Sequence, residues 1–258
     1  MKRILALLLL CLLLVPAALA EDSRIGIVSA MSSEVEMLLK MAEIDHVDTV
    51  GNLDFNVGTL CGQPVVIAQL GVGKVLSAAG TAALLNRYDI SKVLFTGVAG
   101  AVSDDTQVLD VVVATSLVQH DYGTISNAGF EWFDGNTGDK GYYASDEGLV
   151  SDALTAAEKI VGPDHVHKGV IATGDQFVAS EDYKKKLLDD FNAVACEMEG
   201  ASVALVCLQY DVPFVVIRAM SDSADSEAYE TYENMLNTAA DHSCRIVMEM
   251  LNKPEPVS

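Results

Sequence analysis

Acidic side chains and glycines stand just beyond the ends of short apolar runs in this chain of 258 residues, and that placement is its first sign of chemistry. The run at residues 24–30 leads through Met31 to Glu34, and the next leads into Gly71-Val72-Gly73-Lys74. A third leads into Gly97-Val98-Ala99-Gly100, a fourth through Thr173-Gly174-Asp175 to Phe177, and the last into Ser221-Asp222. A shorter run ends at Glu197-Met198-Glu199, two carboxylates at the mouth of a helix. Ligands of open α/β sheets bind at strand ends. Carboxylates, glycines and a few apolar side chains gathered there suit a small, mostly uncharged, hydroxylated molecule.

Taken singly, each feature has a plainer reading. Gly71-x-Gly73-Lys74 resembles a phosphate loop but lacks the full G-x-x-x-x-G-K-[ST] spacing, so a turn that opens a helix is preferred. Glu34, in a first helical turn, complements a helix dipole. Asp222 after a strand serves equally to cap the next turn. Only their joint occurrence favours a site.

The elements that must position these groups follow from periodicity. Short β-branched runs alternate with longer helical periods, as in α/β domains. Strands are expected at 24–30, 93–96, 111–114, 165–172, 193–196 and 214–219, with a hairpin of 55–60 and 64–70 around Cys61-Gly62-Gln63. Helices are expected at 32–42, capped by Ser32 or Ser33, from Lys74 to near Tyr88, and at 146–161, 200–210 and 229–251. Residues 97–100 are expected to form a tight turn, and residues 130–143, rich in Gly, Asn, Asp and aromatic side chains, an irregular surface loop. With no linker or repeat, residues 21–258 form one expected domain.

Half of the residues are hydrophobic and 21% are charged, which excludes a disordered or collagen-like chain. The formal charge of −21 opposes phosphate backbones, so no nucleic-acid partner is expected. Lys2 and Arg3, the apolar run at 4–15 and Ala18-Leu19-Ala20 have the form of a secretory signal peptide cleaved after Ala20. Retained as an anchor, the run of about 12 residues is short for a bilayer span. Cys11 would suit lipid attachment, but Leu10 stands where a small residue is wanted. The mature chain loses Lys2 and Arg3, leaving 14 basic side chains against 37 acidic, a formal −23. Export, periplasmic by expectation, and no membrane association after cleavage follow from this. Cys61, Cys196, Cys207 and Cys244 sit among apolar neighbours with no C-x-x-C spacing, so buried free thiols are expected. His165 and His167 alternate as strand residues do, but no further ligand cluster accompanies them and no metal site is expected.

The joint pattern resembles the nucleoside phosphorylase/nucleosidase superfamily, and within it the bacterial 5′-methylthioadenosine/S-adenosylhomocysteine nucleosidases. The similarity runs from Arg24 to about Leu251. It is densest in Ile25-Gly26-Ile27-Val28-Ser29-Ala30-Met31-x-x-Glu34, Gly71-Val72-Gly73-Lys74, Thr96-Gly97-Val98-Ala99-Gly100 and Gln119-His120-Asp121. Thr173-Gly174-Asp175-x-Phe177, Glu197-Met198-Glu199 and the stretch from Val215 through Arg218 and Ser221-Asp222 to Asp225 complete it.

The resemblance implies a three-layer α/β/α sandwich with a central mixed sheet, no cofactor, a homodimer with residues after Gln119-His120-Asp121 at its interface, and a place in nucleoside catabolism and methionine salvage. It implies hydrolysis of the N-glycosidic bond of a purine nucleoside. Asp222 would protonate adenine N7, Glu34 would orient the water, and Glu199 would hold the ribose hydroxyls. Met198 and Met31 would flank the sugar and thioalkyl group, Phe177 and the Val178 backbone would meet the purine, and Val72 and Tyr232 would line the 5′ pocket. Arg218, with Ser221 nearby, would support the water and carboxylates, and Ala99 belongs to the glycine-rich wall.

Such chemistry needs two carboxylates of opposed protonation. The purine departs with a proton from an acid whose pKa is raised, while Glu34 stays ionised. The chain departs from the family's Gly-Ser-Ala-Gly-Gly turn in having Val98 and Ala101, which removes one hydrogen bond to the water. A phosphorylase would want Arg at the first and third strand ends, where Ser29-Ala30-Met31 and Phe95-Thr96-Gly97-Val98 stand, so hydrolysis is preferred. An exported nucleoside-binding protein with little turnover is the alternative from another class.

Overall fold

A computed structural model of the chain describes residues 23–133 and 141–252. The expected signal peptide, with Cys11 and the cleavage position after Ala20, lies outside those residues.

The strands are β1 (Arg24–Ser29), β2 (Glu43–Val50), β3 (Leu53–Leu60), β4 (Gln63–Gln69), β5 (Ile90–Ala101), β6 (Val111–Gln119), β7 (Gly123–Ser126), β8 (Gly129–Trp132), β9 (Tyr142–Ala144), β10 (Val166–Thr173), β11 (Ala193–Glu197) and β12 (Phe214–Asp222). The helices are α1 (Glu36–Met41), α2 (Lys74–Arg87), α3 (Glu147–Val161), α4 (Glu181–Phe191), α5 (Gly200–Gln209) and α6 (Ala228–Leu251). One mixed sheet runs in the order β11-β10-β6-β12-β5-β1-β4-β3-β2, with β9 beside β6. β12, β5, β1 and β4 are mutually parallel neighbours, and β6 joins β12 antiparallel. β11 also pairs back onto β5, so the β5-β12-β6-β10-β11 half of the sheet closes on itself.

The strand period of two creates the layers. Val28, Val66, Phe95, Val112 and Val216 pack with α2 and α5 on one face. Their immediate neighbours Ile27, Val65, Leu94, Val113 and Ile217 pack with α1, α3 and α6 on the other. Each such side chain contributes about 1.5–3 kcal/mol when fully buried, so slipping one strand by a residue would exchange both faces at once. The expected three-layer fold with a mixed sheet is the observed one. Among the described residues no helix is long and apolar enough to cross a membrane.

Several expectations need correction. Residues 97–100 are not a turn: they continue β5 and pair with residues 218–222 of β12. Their glycines provide room beside the strand. The helix expected at 32–42 breaks into a 3₁₀ turn, Ser32–Glu34, and the short α1, because Glu34 instead of a serine turns back onto the preceding backbone. Residues 43–50 form an additional strand, the sheet edge β2, whose polar EIDHVDTV lacks the apolar alternation of a half-buried strand. The hairpin at β3 and β4 is as expected, but its turn holds Cys61 and Gly62 at positive φ and exposes Cys61. Cys196, Cys207 and Cys244 are buried, and all four thiols are free. Residues 130–143 contribute the ends of β8 and β9, with 134–140 outside the described residues. His165 and His167 both turn to Asp110, at 2.8 and 2.9 Å.

Candidate active site

The ends of β1, β5 and β12 meet where their side chains are smallest. A Cβ on Gly97 would stand 2.4 Å from Arg218 Nη1 and 2.6 Å from Glu34 Oε1, and one on Gly100 would stand 2.7 Å from Asp222 Oδ1. Only bare backbone admits all three groups against β5.

Glu34 is 2% exposed. Its Oε2 accepts the Ala30 and Met31 N–H groups at 3.0 and 2.8 Å, and its Oε1 accepts the Val98 N–H at 2.9 Å. Arg218, 1% exposed, lies 4.0 Å from the centre of the Phe95 ring. Its Nη2 donates to Glu197 at 2.6 Å and stands 3.7 Å from Glu199 Oε2, while Nε and Nη1 have no partner. Glu197 is further occupied by the Thr173 hydroxyl and the N–H groups of Glu199 and Gly200. Glu199, at the N-terminus of α5, accepts the Gly73 N–H at 2.8 Å. Asp222, 3% exposed, accepts the Ala224 N–H on Oδ1 at 2.9 Å. Ser221 Oγ donates to Asp222 Oδ2 at 2.9 Å and lies 3.3 Å from the Ala99 carbonyl. Turning the hydroxyl proton to that carbonyl leaves Oγ free to accept from a protonated Asp222.

Burial raises the pKa of Asp222, outweighing the Ala224 and Ser221 hydrogen bonds, with nearby Asp225 adding to the rise. Burial also raises that of Glu34, against the opposing effects of Arg218 and three N–H donors. Both carboxyls therefore shift in one direction, where the sequence leads to an expectation of opposed protonation states, with only the Asp222 pKa raised. What separates them is their partners: a buried cation and three N–H groups favour the anion of Glu34, whereas Asp222 has one N–H, one hydroxyl and, as the weakest influence, Lys184, which is bonded to the neighbouring Ser223 carbonyl. Glu199 is raised by burial and by Glu197, against Arg218. Burial lowers the pKa of Arg218, but Glu197, Glu199 and Glu34 together raise it, so the guanidinium stays charged.

Glu34, Glu197, Glu199 and Asp222 line a cavity of about 280 Å³. Met31, Glu34, Val72, Ala99, Phe177, Val178, Met198, Glu199, Ser221, Asp222 and Tyr232 all border it. Arg218 alone of the expected residues does not; it lies behind the wall, acting through the carboxylates. Phe177 meets Tyr229 and Tyr232 edge-on at 5.7 and 5.6 Å, and the Tyr232 hydroxyl donates to Met31 Sδ at 3.3 Å, forming an apolar end with a polar seam. Sequence reasoning overlooks Tyr229, one helical turn before Tyr232, which i,i+3 spacing on α6 could have revealed. It also leaves Glu197 without a role, although the Glu-x-Glu spacing puts it beside Glu199. Val98 borders the cavity, packs in the apolar layer with Leu94 and Ala219, and donates its N–H to Glu34.

The fold and this site define a class. The profile of the Phosphorylase superfamily matches residues 24–252, and the chain belongs to that family. It is 38% identical over 235 residues to the 5′-methylthioadenosine/S-adenosylhomocysteine nucleosidase of Bacillus thuringiensis strain Al Hakam, covering 89% of this chain and 99% of that one. It is 34% identical over 233 residues to the aminodeoxyfutalosine nucleosidase of Helicobacter pylori strain J99, with the same shares covered. The solved 5′-methylthioadenosine/S-adenosylhomocysteine nucleosidase of Neisseria meningitidis, in complex with methylthio-immucillin-A, superposes with a TM-score of 0.81 at 34% identity, covering 89% of this chain and 99% of that one. With these relatives the chain is one of the superfamily's nucleosidases, which are N-glycosyl hydrolases.

Proposed function

We propose that the protein hydrolyses the C1′–N9 bond of a 5′-methylthioadenosine- or S-adenosylhomocysteine-type nucleoside, with Asp222 as acid and Glu34 orienting the water. One observation carries this reading: three carboxylates far apart in the chain, Glu34, Glu199 and Asp222, border one mostly apolar cavity while each stays buried. As the bond breaks, its electron pair goes to the purine, whose N7 takes the Asp222 proton. Water adds at C1′, and its proton passes toward Glu34. Glu34 offsets the positive charge that develops on the ribose. Glu199 holds the ribose hydroxyls, Met198 lies against the sugar, and Phe177 and Val178 face the base. Met31, Val72 and Tyr232 accept the apolar 5′ group.

A phosphate co-substrate suits the site poorly. Arg218 is engaged by Glu197, Lys74 lies 2.6 Å from Asp121, and the cavity wall contains no basic side chain among the described residues. A bulkier 5′ group, as the aminodeoxyfutalosine relative suggests, is a second reading, favoured by the exposed Val72, Phe177 and Tyr229 at the cavity mouth. Those same exposed side chains support a homodimer whose second copy covers the 5′ end. An exported, periplasmic protein is the location that the N-terminal sequence supports.

The test is release of free adenine from 5′-methylthioadenosine by purified protein in phosphate-free buffer. Stoichiometric binding without adenine would establish a binding protein, and a requirement for phosphate would establish a phosphorylase.

A further inference from the structure

Gln119-His120-Asp121 and Lys74 are not used in the hydrolysis, yet Lys74 and Asp121 close a polar ring with Asp175, which Gln119 joins at Lys74. Lys74 Nζ donates to Asp121 Oδ1 at 2.6 Å and to Gln119 Oε1 at 3.2 Å. Asp121 Oδ2 accepts the Asp175 N–H at 2.8 Å, and Asp175 Oδ1 accepts the Lys74 N–H at 2.8 Å. Three loops, after β4, β6 and β10, are thereby tied to one another. The Lys74 and Asp121 side chains are only 17% and 13% exposed, so the pair is stronger than an ordinary surface bridge. The turn that presents Asp121 is itself seated: His120 lies against the Gly174 backbone with Nδ1 3.1 Å from the Tyr183 hydroxyl, and Trp132 Nε1 donates to the Gln119 carbonyl at 2.8 Å.

The neighbours of the ring reach the cavity on two sides. Gly73, next to Lys74, donates its N–H to Glu199 Oε1. The same two residues are joined a second time, because the Ser77 N–H donates to the Gly73 carbonyl at 3.2 Å, Ser77 Oγ donates to Ser202 Oγ at 2.8 Å, and Ser202 Oγ donates to the Glu199 carbonyl. Gln176 and Phe177, which follow Asp175, border the cavity. The ring thus fixes the backbone that orients Glu199 at the same time as the segment facing the base.

We propose that Lys74, Asp121 and Asp175 are positioning residues that set the Gly73 N–H on Glu199 and so govern capture of the ribose hydroxyls. The proposal rests on the assignment of Glu199 to the ribose. It explains why the lysine of a glycine-rich loop faces carboxylates and not a ligand phosphate. With the Lys74 charge removed, the loop loses its tie to Asp121, the Gly73 N–H drifts from Oε1, and Glu199 rotates away from the hydroxyls it should meet. The acid at Asp222, on a different strand, is left in place.

The experiment compares Lys74→Met, Lys74→Arg and Asp175→Ala with the unaltered protein on 5′-methylthioadenosine and its 2′-deoxy analogue, together with the Kd of adenine. Lys74→Met and Asp175→Ala should raise KM for the ribonucleoside about tenfold with kcat within about twofold, the pattern of lost binding without lost chemistry. KM for the 2′-deoxy analogue and the adenine Kd should stay within about twofold, and Lys74→Arg should recover most of the loss. Asp175 is exposed, so its variant retains the fold if Lys74→Met does not. Equal losses on both nucleosides in a protein that itself prefers the ribonucleoside would overturn the ring alone. An unaltered protein indifferent to the 2′-hydroxyl would overturn the ribose assignment and the ring with it.

Discussion

The two ends of the cavity handle buried negative charge differently. At one end Glu34 and Glu199 share a guanidinium and four backbone N–H donors, with Glu197 closing the cluster. At the other, Asp222 has one N–H and one hydroxyl. Burial is the largest cause acting on all three carboxyls, and each stays shifted upward with its partners counted. The partners differ in what they favour: the donors at the first end oppose the rise of Glu34 and Glu199, and those around Asp222 are fewer. A single cavity can therefore hold a water-orienting base beside a buried guanidinium and an acid at its other end, where Lys184, bonded to the Ser223 carbonyl at 2.9 Å, is the weakest influence on Asp222.

Removing the acid should have the largest effect. Asp222→Asn keeps the shape and the Ala224 contact but has no proton of suitable acidity, so kcat should fall by about 10²–10⁴-fold while adenine and inhibitor binding persist. Rates like those of the unaltered protein would remove Asp222 from the mechanism.

Next comes the opposite end. Arg218→Met leaves Glu197 and Glu199 buried without their cation, and breaking such a pair typically costs about 3–5 kcal/mol, to be measured by urea unfolding. A loss below about 1 kcal/mol would show that the carboxyls are held neutral by burial, and the contrast between the two ends would vanish.

The pH profile compares both ends within one molecule. An acid must be protonated to act, so kcat should fall about tenfold per pH unit above the pKa of Asp222, and its upward shift extends the active range toward neutral pH. That falling limb should be absent from the residual activity of Asp222→Asn. Should it remain there, the limb belongs to another group.

The contrast between the ends was only partly legible in the sequence. Alternating apolar runs disclosed the layers, because a strand buried on both faces shows the same residues in any fold of this kind. Strand ends disclosed where Glu34, Glu199 and Asp222 would stand. What local pattern could not disclose is contact across distance: Gly73 meets Glu199 at a separation of 126 residues, and nothing near either predicts the other. Residues 97–100 show a different limit. Glycine signals a turn when read locally, but beside β12 the missing side chains make room for Arg218, Glu34 and Asp222. The upward shift of Glu34, unlike the expected rise of Asp222, was hidden for the same reason, since burial is a property of the packed fold.

Val98 provides the smallest and most specific test. Its N–H already serves Glu34 at 2.9 Å, while its side chain has only methyl groups to offer a cavity that the residue borders. The backbone therefore holds the carboxylate, and what the site lacks is a second polar contact for the water. Val98→Ser would supply a hydroxyl close to Glu34 without altering the strand pairing of residue 98 with Ala219. A neutral hydrogen bond of about 0.5–1.5 kcal/mol made mainly in the transition state corresponds to a kcat gain of roughly two- to twelvefold with KM unchanged. The Asp222 limb of the pH profile should stay where it was, because the change is at the other end. A gain confined to KM would show that the hydroxyl binds the nucleoside. No gain at all would mean that Glu34, with the unpartnered Nη1 of Arg218 behind it, already fixes the water fully.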